Sequence, residues 1–109
     1  VMQCMNAMEK SDRSIELIDL RTISPIDMET IIESVEKTGR VVIVHEAPKT
    51  CGLAAELASG IMEQGFLHLE APIQRVTGFD VIMPYYKLEL DYLPEADRIG
   101  KALEEVMAY

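Results

Sequence analysis

The chain has 109 residues, 49% of them hydrophobic and 27% charged, which describes one globular domain large enough to bury a core without disulfide or metal staples. No apolar run approaches the ~20 residues that a membrane-spanning helix needs. A formal net charge of −9 argues against nucleic acid or an anionic membrane as partner and is compatible with a basic protein.

In chain order, Val1, Cys4, Met5 and Met8 follow an i, i+3, i+4, i+7 spacing, which predicts a helix over the first ten residues. A polar turn at 10–14 leads into residues 15–20, where Ile18 and Leu20 face one way and Leu17 the other, as in a strand. Ser24, Pro25 and Asp27 read as cap, first helical residue and first-turn acid of a second helix. Its buried stripe is Met28, Ile31, Ile32 and Val35, and Gly39 ends it.

Val41, Val42, Ile43 and Val44 are four consecutive β-branched apolar residues, as expected of a parallel strand over 41–45 that is covered on both faces. Gly52 precedes a helix over 53–64, closed by Gly65, with Ala54, Leu57, Ala58, Ile61 and Met62 on one face. Residues 73–77 form a more polar strand, suited to a sheet edge. An irregular stretch from Pro84 includes one helical turn near 88–91. Pro94 introduces a last helix with Ala96, Ile99, Leu103, Val106 and Met107 facing inward. This alternation of helix and strand demands a layered α/β sandwich with crossover helices. Three strands make a thin sheet for four helices, so a strand ahead of Val1 is expected. Opening on Val1, the chain reads as a piece of a longer polypeptide.

Little catalytic chemistry is placed on this frame. There is no GxGxxG and no P-loop lysine. Cys4 and Cys51 stand far apart without a CxxC, which suits idle thiols in a reducing compartment. His45 and Glu46, at the end of a parallel strand, have the residue types of an acid–base pair, but a histidine fixed by a strand-end hydrogen bond is the favoured reading. Glu29, Glu33, Glu36 and Lys37 read as a solvated helix face. Tyr85, Tyr86 and Tyr92 suit either an aromatic contact patch or a cap on the core. An α/β module binding a small anionic ligand at the turn between Glu46 and Gly52 is a second reading of the same residues.

The phrases DLRTISPID, VHEAP, LEAP followed by RVTG, D and MPY, and DYLP, in that order, are together highly specific. Over residues 15–109 the chain resembles the C-terminal, transketolase-C-terminal-like domain of the β subunit of 2-oxoacid dehydrogenases, of pyruvate, branched-chain or acetoin type. Transketolase-type enzymes share the fold but not the full set of phrases. The resemblance implies a three-layer α/β/α sandwich around a mostly parallel mixed sheet, with residues 1–109 forming one C-terminal domain. It implies a sheet with a strand upstream of the first helix, lying between the strands at 15–20 and 41–45. That slot would be filled by residues not in the chain or by another chain, or the two flanking strands would close on each other.

The resemblance further implies an enzyme whose thiamine diphosphate and magnesium are held elsewhere, so that no catalytic, cofactor or metal residue is assigned here. Implied partners are the α subunit, a second β subunit, and a small basic subunit-binding domain of the lipoyl acyltransferase. That domain would meet an acid at the position of Glu70 and the terminal carboxylate, here on Tyr109. Residues 51–109 carry ten acids and four bases, a net of −6, which suits such a partner. The setting implied is the cytoplasm of a prokaryote or the mitochondrial matrix of a eukaryote. Cys51 and Gly52 stand where relatives often have paired glycines, which puts a side chain at a turn that favours glycine.

Overall fold

Residues 1–109 are described by a computed structural model. The core lies in two layers on either side of a small sheet. On one face α2 (Met28–Thr38) and α3 (Leu53–Gly65) enclose Ile31, Val35, Ile43, Ala54, Leu57 and Ile61. On the other face α1 (Met2–Lys10) and α5 (Ala96–Met107) enclose Ala7, Val76, Ala96, Ile99 and Ala102. The strand β1 (Val42–Pro48) explains its own composition: Ile43 packs into the first cluster, while Val42 and Val44 pack against the second. With both faces covered there is no position for a polar residue over 41–44. Each such side chain contributes about 1.5–3 kcal/mol on burial. No helix is long and apolar enough to cross a membrane.

The sheet has two parallel strands, β1 and β2 (Gln74–Gly78), in the register Val42 to Gln74, Ile43 to Arg75 and Val44 to Val76. The crossover between them contains α3 and a single 3-10 turn at Phe66–His68. The second helix differs in its start. Asp27, rather than Ser24, is the cap: its carboxylate accepts from Thr30 N–H at 3.1 Å and from the Thr30 hydroxyl at 2.8 Å. Those two bonds hold the Asp27 carboxyl below its ordinary pKa, the backbone one first. Ser24 and Pro25 lie in a turn with a cis bond between them. Gly39 ends α2 in the left-handed conformation, φ 67°, and its N–H bonds the Val35 carbonyl at 2.8 Å.

The strand expected over 15–20 is not formed. The segment enters no ladder and makes no backbone–backbone hydrogen bond. A strand exists only with a neighbour, and its nearest candidate, β1, is paired on the side of β2 alone. Between residues 13–20 and the free edge of β1 runs an open groove of about 640 Å³, whose walls are mostly apolar. Direct closure of the two segments is therefore overturned, and the groove lies open between them. Val1, Cys4 and Met8 line this groove, Val1 and Met5 are exposed, and the buried face of α1 centres on Ala7.

In α5 the inward face is Ala96, Ile99, Ala102 and Val106, with Met107 more exposed than its spacing predicts. The short helix α4 (Glu89–Tyr92) matches the expected turn.

Candidate functional site

Two places gather the residues that the sequence singled out. The first is the carboxyl end of the two strands. Glu46 is exposed there, and the loop that follows is fastened to the end of β2 by Asp80. The Asp80 carboxylate accepts from the Thr50 hydroxyl at 2.6 Å and from Thr50 N–H at 2.9 Å. The hydroxyl first, and then the backbone N–H, keep the Asp80 carboxyl below its usual pKa. This tie joins residues 30 positions apart, and nothing in the local pattern announces it.

His45 is not fixed as expected. Both ring nitrogens are covered and neither has a hydrogen-bond partner. The ring lines the groove and packs against Gly52, where an added Cβ would lie 2.8 Å from Cε1 and 2.5 Å from the Pro48 carbonyl. A close backbone approach is the reason for glycine at 52. Glu46 and Asp80 bring two carboxylates to this end of the sheet, with Lys49 beside Asp80. His68 is remote, facing Glu36 at 3.4 Å, so the two histidines form no joint site. No three His, Cys, Asp or Glu side chains converge as metal ligands.

Cys51 takes the left-handed conformation, φ 56°, in this same loop. A side chain there is strained by ~1 kcal/mol or more, and glycine would not be. We expect Cys51→Gly to raise stability by up to about 1 kcal/mol, the strain relief being partly offset by greater chain entropy when unfolded. Urea denaturation of the two chains measures it, and a clear loss would refute the assignment of strain.

The second place surrounds Glu70. Its N–H bonds the Gly39 carbonyl at 2.7 Å, and Gln74 N–H bonds the Val41 carbonyl at 3.1 Å, so the 70–74 segment runs beside 39–41. The Glu70 side chain is 61% exposed and pairs with Arg40, which is 26% exposed. Arg40 also donates through Nε to the Val106 carbonyl in the last turn of α5, at 3.0 Å. Glu70 and the last turn of α5 thus meet through one guanidinium. Tyr109 is exposed and borders a shallow depression with Gln74, Glu105 and Ala108. Leu67, 90% exposed, and Phe66 stand just before Glu70 on the 3-10 turn. Arg40 was not foreseen; the sequence marks it only as the residue after a helix-ending glycine.

The tyrosines divide between the two readings. Tyr92 is buried and edge-on to Phe79, with ring centres 6.4 Å apart, whereas Tyr85 and Tyr86 are among the most exposed side chains of the molecule.

Residues 1–99 match the family described as Transketolase, C-terminal domain. The chain is 54% identical, over all its length, to the mitochondrial 2-oxoisovalerate dehydrogenase subunit beta of Dictyostelium discoideum, of which it covers 30%. It is 50% identical to the 2-oxoisovalerate dehydrogenase subunit beta of Pseudomonas aeruginosa, over 93% of the chain and 29% of that protein. It is 42% identical to the pyruvate dehydrogenase E1 component subunit beta of Staphylococcus aureus, over 99% of the chain and 33% of that protein. The chain therefore spans about a third of the length of these curated relatives.

Proposed function

The chain belongs to the transketolase C-terminal domain family, and from that footing we propose that it is the non-catalytic C-terminal domain of a 2-oxoacid dehydrogenase β subunit. The whole enzyme would decarboxylate a 2-oxoacid on thiamine diphosphate and pass the acyl group to a lipoyl arm. The work of this domain would be packing against an α subunit and a second β subunit, and docking the acyltransferase. The residues here do not fit the cofactor's needs. No cluster of carboxylates or imidazoles converges to hold magnesium, and the strand ends present Glu46 and Asp80 against the cation of Lys49.

The observation that supports docking is the position of Glu70: an outward carboxylate joined through Arg40 to the last turn of α5. A basic subunit-binding domain would be drawn by the acidic surface and oriented by that carboxylate. Such complementarity acts on encounter rate and register more than on raw affinity. Leu67 and Phe66 would offer apolar contact beside the charges.

Glu70→Gln keeps the shape and removes the charge. In the complete α–β enzyme it is expected to weaken binding of a basic acyltransferase subunit-binding domain about tenfold, ~1.4 kcal/mol, by isothermal titration. Unaltered affinity, in an enzyme whose circular dichroism and assembly match the parent, would remove Glu70 from the docking surface.

A further inference from the structure

Arg40 occupies a junction that the docking reading does not itself explain. Gly39 turns the chain out of α2 in the left-handed conformation and leaves no Cβ beneath Glu70; one placed there would lie 2.8 Å from the Glu70 Cγ and 2.9 Å from its Cδ. The Glu70 side chain lies across that gap, within reach of the next residue's guanidinium. Arg40 then donates from two different nitrogens to two different elements: Nε to the Val106 carbonyl of α5, and a terminal nitrogen to the Glu70 carboxylate. The carbonyls of a helix's last turn have no partner within the helix, so the first bond meets a need of α5. A guanidinium is planar and rigid, so its two acceptors are held at a set separation.

The exposures add a direction. The cation is the inner member of the pair and the carboxylate the outer one. A carboxylate has about four acceptor positions. The bond to Arg40 leaves the rest facing solvent.

Resting on the docking reading, we propose that Arg40 is a positioning residue for the partner: it holds the Glu70 carboxylate at a set place against the last turn of α5. The partner's cations then meet a carboxylate already held in place, and fewer side chains are ordered on binding. The opposing possibility is that Arg40 only competes with those cations by neutralising Glu70. The two differ in sign. Arg40→Gln takes the chain from −9 to −10, which favours a basic partner if charge alone matters.

The test uses the complete α–β enzyme and a basic acyltransferase subunit-binding domain as probe, with surface plasmon resonance on Arg40→Gln, Arg40→Lys, Glu70→Gln and the doubles with Glu70→Gln. Positioning predicts that Arg40→Gln weakens binding about tenfold, mostly through faster dissociation, despite the added negative charge. It also predicts no further loss when Arg40→Gln is placed on Glu70→Gln, because the residue being oriented is then no longer charged. Arg40→Lys keeps the charge but lacks the fork, so it loses part of the affinity, and again only when Glu70 is present; it carries the test if Arg40→Gln fails to assemble. Equal or tighter binding by the Arg40 variants overturns the proposal, and so does a loss that adds in full to that of Glu70→Gln. Should Glu70→Gln bind as well as the parent, the docking reading itself falls, and Arg40's role falls with it.

Discussion

Placing one more strand in the groove beside β1 is expected to stabilise this chain and to protect residues 15–20, which pair with nothing, from amide exchange. The free edge of β1 and the extended segment 15–20 both present unpaired backbone groups to that groove, and its walls are mostly apolar. A strand of about six residues would add roughly one ladder bond per residue, at about 1 kcal/mol net each. Each of its apolar side chains would contribute ~1.5–3 kcal/mol on burial. Ordering the added segment costs conformational entropy that these gains must exceed. A strand passing His45 would also bring backbone groups to a ring that has no partner. The experiment fuses a β-branched apolar segment and a turn upstream of Val1, then compares urea denaturation and amide exchange with the 109-residue chain. Amides over 15–20 should exchange freely in the shorter chain and become protected in the longer one. Protection already present without the segment, or absent with it, would sink the idea that the groove is a strand slot.

That groove also marks where local sequence reading runs out. The helices and β1 could be read because their signals are local: a 3.6-residue stripe such as Ile31 and Val35, or four apolar β-branched residues in a row. Residues 15–20 have the composition of a strand, but being a strand is a property of a pair. Asp27 displaced Ser24 as cap because Thr30 supplies both a backbone N–H and a hydroxyl to its carboxylate, a detail the cap-and-proline pattern does not encode. The candidate site was half legible. Glu70 and Tyr109 came from a family resemblance, and the structure adds that Arg40 ties Glu70 to the last turn of α5. Arg40, 66 positions from Val106 and 30 from Glu70, was invisible because its meaning is entirely tertiary. The same holds for Thr50 with Asp80, and for the division that buries Tyr92 and leaves Tyr85 in solvent.

Gly78→Ala is expected to destabilise the domain by about 3 kcal/mol or more, because the methyl group has nowhere to go. Gly78 ends β2 and is buried, and its φ is not positive, so conformational freedom is not what glycine supplies there. Proximity is the reason. A Cβ at 78 would lie 2.5 Å from the Glu46 carbonyl oxygen and 2.6–2.7 Å from the Tyr92 ring. The carbonyl belongs to β1 and cannot retreat without disturbing the ladder. Tyr92 is hemmed in by Phe79, which in turn lies under the Arg98 guanidinium at 4.6 Å, and Arg98 donates to the Thr77 carbonyl at 2.8 Å. Ring, cation and strand end thus form one packed unit, and relief at one point is opposed at the next. Gly100→Ala is the matched control: it lies in α5 with nothing within 4 Å of an added Cβ, so it should stabilise by about 0.5–1 kcal/mol through helix propensity. Tyr92→Leu should recover part of the Gly78→Ala loss by clearing the ring contact while leaving the carbonyl contact. Urea melts of the four chains decide it; a Gly78→Ala protein within about 0.5 kcal/mol of the parent would show that the strand end yields more readily than this packing allows.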